Sequence, residues 1–426
     1  MSAERASRKL VVLADAAKYD ASCASDGRAA AAAAGPPGIS WAFAGDGRRI
    51  ALLKILLTNH CIFDCRYCVN RRSSDVERAA FTPDEVVRLT LDYWRRGLIE
   101  GLFLSSGVDK SPDDTMEQLV QVVRTLRVTH RWRGYVHLKT IPDASPEWIA
   151  EAGRWADRLS VNVELPTEAA LARLAPEKRL GQIRRAMHAI RAGIDEARDA
   201  RREAIATVRT LPPEGDAGPL PPPSPRFPAL PRFAPAGQTT QMIVGAGGES
   251  DAEILATSSL LYGAHALRRV YYNAYVPIPD APAGLPDVAP SPLRERRLYQ
   301  ADWLVRHYGF APAELTTADE PNLELDVDPK LAWALRHRGR FPVDVNRAEP
   351  EQLLRVPGLG VRSVQRIVAE RRWRTLRVED LTRLKVPLAH ALPFIVAADH
   401  NPEALLIDRG NLRERILTKV RQLELF

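Results

Sequence analysis

The chain has 426 residues, of which 45% are apolar and 27% charged, the mix of a soluble globular protein of two to three domains rather than of a disordered or fibrous one. Lys and Arg number 60 against 53 Asp and Glu, a formal net charge of +7, and this mild basic bias admits polyanionic partners without establishing them. No apolar run approaches the ~20 residues that cross a bilayer, so neither a membrane-spanning protein nor a conventional signal peptide is expected. Only four cysteines occur, Cys23, Cys61, Cys65 and Cys68. Three of them are too close together for an unstrained disulfide framework, and a reducing, cytoplasmic location is expected.

Residues 1–45 read as an N-terminal extension with an amphipathic start, the stretch Lys18 to Cys23, and an Ala/Gly/Pro-rich loop closing on Gly35-Pro36-Pro37-Gly38. Six apolar runs follow at Ile50 to Leu57, Gly101 to Leu104, Tyr135 to Thr140, Leu159 to Leu165, Gln241 to Val244 and Val270 to Val276. Helical stretches separate them, which predicts an α/β fold with a parallel sheet or partial barrel over residues 46–280. Between the fourth and fifth runs, Leu180, Ile183, Met187, Ile190 and Ile194 recur at helical spacing, and acidic residues dilute the arginines of the opposite face, as on a solvated surface. The segment 211–235 holds ten prolines between Pro212 and Pro235, so it is predicted to be an extended surface insertion. Residues 281–340 form a helical connector with candidates at Arg294 to Tyr308 and Pro329 to Arg338. A compact all-α unit is expected over 341–400, and a tail over 401–426.

The first predicted strand runs into Thr58-Asn59-His60-Cys61-Ile62-Phe63-Asp64-Cys65-Arg66-Tyr67-Cys68. Three thiolates at C-x3-C-x2-C on one loop suit three irons of a cubane cluster, leaving the fourth iron open. The alternative is a zinc site with His60 as fourth ligand, but the chain offers no second spaced ligand pair. With an aromatic just before the last cysteine, the motif resembles that of the radical S-adenosylmethionine (SAM) superfamily, and the resemblance covers about residues 46–280. It implies a partial TIM-like (β/α)6 barrel, a 4Fe-4S cluster held by Cys61, Cys65 and Cys68, and SAM cleaved to a 5'-deoxyadenosyl radical. Position by position it places Tyr67 near the adenine. It aligns Ser105-Ser106-Gly107 with the family's Gly-Gly-Glu turn for the methionine amino group, although no carboxylate is present here. Ser160, Asn162 and Glu164 alternate on the fourth strand and so share a face, which in a barrel is the cofactor side. The small residues of Gly245-Ala246-Gly247 end the fifth strand and match a cofactor motif of the family. Cys23 is a small buried residue or, on the functional reading, a catalytic thiol that donates hydrogen or holds substrate.

Toward the C-terminus, Asn346 followed by Glu349 resembles a capping box. Leu353 and Leu354 mark a short helix, Pro357-Gly358-Leu359-Gly360 a tight turn, and Val361, Val364, Ile367 and Val368 the apolar face of a second helix. The segment resembles a helix-hairpin-helix DNA-binding motif. Gly358 and Gly360 would expose backbone N–H groups at a helix N-terminus to a phosphate, with Arg362 and Arg366 alongside. Residues 376–396 resemble a degenerate second hairpin. Together with Lys18 to Cys23 and the run Arg297 to Trp303, the chain resembles nearly end to end a DNA modification/repair radical SAM family. That resemblance implies a uracil-DNA glycosylase-like partner, an electron donor such as flavodoxin or ferredoxin, and no membrane. RNA or tRNA modification is the alternative reaction class. A DNA-binding scaffold with a structural or redox-sensing cluster is the alternative outside enzymes.

Overall fold

A computed structural model describes residues 3–19, 36–43, 48–209, 232–402 and 411–414. Cys23, the alanine tract, nearly all of the proline-rich insertion and most of the tail lie outside the described residues. The chain divides into two units, one of 1–249 with 260–290 and the other of 250–259 with 291–426.

The first unit is built on a seven-stranded sheet in sequential order: β1 (Ile39–Phe43), β2 (Arg49–Leu56), β3 (Gly101–Ser105), β4 (Tyr135–Lys139), β5 (Arg158–Ser160), β6 (Gln238–Val244) and β7 (Arg269–Ala274). Strands β2 to β7 are parallel, and β1 runs antiparallel to β2. With α1 (Ala3–Ala16) ahead of the sheet, the connections carry α2 (Pro83–Arg95), α3 (Pro112–Val128), α4 (Pro146–Trp155), α5 (Glu168–Leu174), α6 (Leu180–Arg209) and α7 (Asp251–His265). This is the partial (β/α)6 barrel. Its strands read as unbroken apolar runs because a parallel sheet is covered on both faces: every residue of β3 and of β6 is buried.

Three features depart from the expected elements. Residues 39–43, placed in an extension by sequence, are an added edge strand, and Leu10 and Leu13 of α1 are buried. Strand β6 begins three residues early, at Gln238, whose side chain is buried and donates to the carbonyls of Met187 and His265 (3.0 and 2.7 Å). Apolarity alone misses such a start. Strand β5 ends at Ser160, and farther on Glu164 takes a left-handed backbone (φ +65°) and meets Met242 through an isolated bridge. On α6, Asp195 and Asp199 pair with Arg191, Arg198 and Arg202 along the helix, consistent with a self-neutralised solvent face.

The second unit contains α8 (Pro292–Tyr308), α9 (Pro312–Leu315), α10 (Pro329–Arg336), α11 (Pro350–Arg355), α12 (Val361–Glu370), α13 (Val378–Arg383) and α14 (Leu388–Ala391). It is helical but not all-α, since β8 (Val343–Asp344) pairs in parallel with β9 (Ile395–Val396). Fully buried Trp333 meets Phe310 and Phe341 edge-on, and Phe341 in turn meets Phe394. The expected Asn346–Glu349 capping box is not formed. Pro350 at the first helical position fixes the start of α11, so Glu349 is the N-cap and its N–H donates to Gln352 Oε1 (3.1 Å). Asn346 instead ties down residue 376, accepting from the Leu376 N–H (2.7 Å) and donating to its carbonyl (3.2 Å). Among the described residues no helix is long and apolar enough to cross a membrane.

Candidate active site

The loop after β2 carries the three cysteines, all as free thiols. Its conformation is imposed from several directions. Asn59 is buried; its side chain donates to the Glu77 carbonyl (2.8 Å) and accepts from the Ala79 N–H (2.7 Å). Asp64 accepts from the N–H and hydroxyl of Ser73, and these bonds hold its carboxyl below the usual range. The Arg78 guanidinium is the central fastener. It donates to the carbonyls of Asn59, Asn70 (3.0 Å), Arg71 (2.6 Å) and Ser74 (3.0 Å), collecting both ends of the cysteine loop on one planar fork.

The cysteines open onto a cavity of about 180 Å³ walled by the C-terminal ends of the strands. Cys61, Cys65, Tyr67 and Cys68 line it. So do Ser106 and Gly107 in the turn after β3, Asn162 and Glu164 beyond β5, and Gln241, Asn273 and Lys139 on strands. Gly107 lies where two loops touch: its N–H donates to the Thr58 carbonyl (2.8 Å), and a Cβ at this position would collide with the His60 carbonyl. Glu164 is locked to Lys178, which lies just ahead of α6, by an ion pair of 2.6 Å with side chains 9% and 16% exposed. Burial alone would lower Lys178, but Glu164 and the nearby thiols outweigh it, and the ammonium is held above its ordinary range. Burial pushes the Cys65 thiol up to about 12 and Cys68 to about 11, and the positive Lys178 pulls both back down.

Not every residue singled out by sequence reaches this cavity. Ser105 ends β3 and its carbonyl accepts from the Leu57 N–H (2.8 Å). Ser160 is buried, and its carbonyl accepts from the N–H and hydroxyl of Thr140. Gly245 and Gly247 face inward on their own turn, where both N–H groups donate to the buried Glu249 carboxylate. Lys178, Arg78 and Glu249 were not singled out from sequence. Nothing in the spacing of Lys178 or Arg78 marks them, whereas Glu249, directly after two glycines, stands in a recognisable turn.

In the second unit, Gly358 (φ +81°) and Gly360, the N-cap of α12, lie in a tight turn between α11 and α12. Arg362 is exposed at the start of α12, while Arg366 donates to the Leu384 carbonyl (3.1 Å). Between α13 and α14, Lys385 takes the left-handed conformation (φ +56°), as Gly358 does between α11 and α12.

The donor set of the cavity fits an iron–sulfur cluster with an organic ligand beside it. Three thiols of one loop share its wall, and the hydroxyl of Ser106 is buried there without a hydrogen-bond partner. His60, the fourth ligand of the zinc alternative, is exposed and does not line the cavity with the three thiols. Residues 55–200 match the Radical SAM superfamily. The chain carries a radical SAM domain. The domain is that of an enzyme superfamily whose members use a 4Fe-4S cluster and SAM, which when bound supply one-electron cleavage of the sulfonium.

No curated protein matches the chain. Solved structures similar to it include HydG, a maturase of the [FeFe]-hydrogenase (12% identity, TM-score 0.39, 58% of this chain and 48% of that one). HydG from Carboxydothermus hydrogenoformans is similar at 12% identity and TM-score 0.40, with 59% and 50% covered. A radical SAM methyltransferase from Sphaerobacter thermophilus is similar at 16% identity and TM-score 0.37, with 61% and 67% covered. The chain spans about half the length of the two maturases.

Proposed function

We propose that this radical SAM enzyme acts on DNA, in modification or repair, with Cys61, Cys65 and Cys68 holding the cluster and the second unit holding the nucleic acid. Ser106, Gly107, Asn162 and Tyr67 would contact SAM, since they share the cavity wall with the thiols. Glu164 is committed to Lys178, so its part is to keep a protonated amine beside the thiols rather than to bind the cofactor directly. The Gly245–Gly247 turn would act through Glu249, which fixes its shape.

The observation that carries the DNA reading is the hairpin turn. Gly360 precedes a helix of ten residues, whose first N–H groups have no carbonyl within the helix and whose dipole favours an anion. Contacts of this kind seat a phosphate without reading sequence. A base inside a duplex would have to leave the stack to reach an enclosed cavity. A uracil-DNA glycosylase-like partner and a flavodoxin- or ferredoxin-type electron donor belong to the same proposal.

The test is anaerobic turnover of the reduced, cluster-loaded protein with deuterated DNA or RNA, followed by mass spectrometry of 5'-deoxyadenosine. Deuterium transferred from DNA supports the reading. Transfer only from RNA moves the substrate to the RNA alternative, and SAM cleavage with no transfer from either rejects nucleic acid as the substrate. For the hairpin itself, Arg362→Ala is the informative variant. Bulky residues at Gly358 are not, because its backbone is left-handed (φ +81°) and an added Cβ would lie 3.0 Å from the His390 Cβ and 3.1 Å from the Pro387 carbonyl, so the change would strain the turn itself.

A further inference from the structure

Trp373, in the loop between α12 and α13, is 86% exposed. An indole so open to water gains nothing from burial, and the loop does not carry it there through slackness. On one side, Arg371 donates to the carbonyls of Val345 (3.2 Å) and Ala348 (2.6 Å). On the other, Leu376 is fully buried and fastened by Asn346. The loop is pinned at both ends and raises Trp373 between them, which is preorganised presentation of a large flat apolar surface.

The carboxylates near it in sequence, Glu370, Glu379 and Asp380, are paired with Arg374 or Arg383. Arg374 is neutralised by Glu370 (2.8 Å) and Asp380 (3.2 Å). Exposed Arg372 and Arg377 form no ion pair among the described residues. Over residues 372–377, the loop therefore exposes one aromatic side chain and two guanidinium groups without an ion pair among the described residues, the combination that suits a strand carrying both π-faces and phosphates. Helix α12 has ten residues, so its phosphate-binding end and the Trp373 loop lie about 15 Å apart along the helix. That span corresponds to roughly four base steps of a strand at 3.4 Å each.

We propose that Trp373 is a stacking platform for an unpaired nucleobase, with Arg372 and Arg377 on the adjoining phosphates. The inference rests on the DNA reading and deepens it, since it makes the substrate a strand with at least one base out of the duplex.

The experiment uses full-length, cluster-loaded protein and fluorescein-labelled single-stranded DNA, fully paired duplex, and duplex with a short single-stranded gap, each titrated across a range of NaCl. Trp373→Ala should weaken single-stranded and gapped DNA about tenfold while leaving the paired duplex within about twofold. Trp373→Phe should recover most of the loss. Because no charge is removed, the slope of log affinity against log salt should not change. Arg372→Ala and Arg377→Ala should each reduce that slope by about 0.7 to 0.9. Unaltered melting of the variants separates these effects from misfolding. If wild-type protein binds DNA and Trp373→Ala binds every probe as tightly, the stacking platform is wrong and the DNA reading stands. If wild-type protein binds none of the probes, the DNA reading itself fails. An equal loss on paired duplex, or loss of self-association in sedimentation with all DNA affinities unchanged, would overturn the proposal in favour of a duplex contact or a second copy of the chain.

Discussion

Lys330 on α10 gives a prediction whose sign reverses with pH. Its side chain is buried, with Nζ 2.5 Å from the Leu359 carbonyl in the hairpin turn and 4.8 Å from the centre of the Tyr308 ring. Burial, opposed by the Asp328 carboxylate and reinforced by Arg355, brings its pKa from 10.5 down to about 7. The unfolded chain keeps this proton up to about 10.5 and the folded one releases it near 7, so stability climbs as pH rises between those values and is lowest below 7. The difference amounts to roughly 5 kcal/mol. Lys330→Met keeps the length of the side chain and removes that cost, but leaves the Leu359 carbonyl short of a donor, at about 1 to 3 kcal/mol. The variant should therefore be more stable than wild type by about 2 to 4 kcal/mol near pH 6, and less stable by about 1 to 3 kcal/mol near pH 10.5. Urea unfolding of the second unit across this range measures both. A difference that keeps one sign from pH 6 to 10.5 would refute the argument, because it would mean that the buried amine keeps its proton throughout.

Three further outcomes are expected at the cavity. Cys61→Ser, Cys65→Ser and Cys68→Ser should each remove most of the iron and the cluster absorbance from anaerobically reconstituted protein, and full iron occupancy in any of them would contradict the ligand set. Arg78→Lys, which keeps the charge but loses the planar fork over four carbonyls, should lower iron incorporation and raise hydrogen exchange across residues 59–74; unchanged exchange there would show that the loop holds its shape without Arg78. Lys178→Met removes the ammonium that forms the buried ion pair with Glu164 and should cost about 3 to 5 kcal/mol in urea unfolding of the first unit, while Glu164→Leu combined with Lys178→Met should recover most of it. Equal losses in the single and double variants would show that the two side chains do not act as a pair.

What could be read from sequence was what local spacing controls. The cysteine motif sits within one loop, so its chemistry is visible at a spacing of four and three residues. The parallel strands announce themselves as apolar runs because both faces are covered, and the glycine hairpin because a left-handed turn needs glycine at Gly358. Local pattern misled where tertiary contacts pay no attention to apolarity or alternation. Buried Gln238 opens a strand because the carbonyls of Met187 and His265 accept its amide protons, and β5 ends at Ser160, with Glu164 left-handed farther on, although the alternation continues to residue 165.

The sequence by itself determined the six parallel strands with their intervening helices, the three-thiol loop and the glycine turn ahead of α12. Only the tertiary structure decided which groups serve those features. Arg78 closes the cysteine loop, Lys178 sits beside thiols more than a hundred residues earlier in the chain, Glu249 fixes the fifth-strand turn, and Lys330 reaches the hairpin carbonyl from 29 residues away. The reason is physical: motifs record what neighbouring residues can do, whereas the pairing of buried charges and the exposure of Trp373 depend on where folding removes water and where it leaves it.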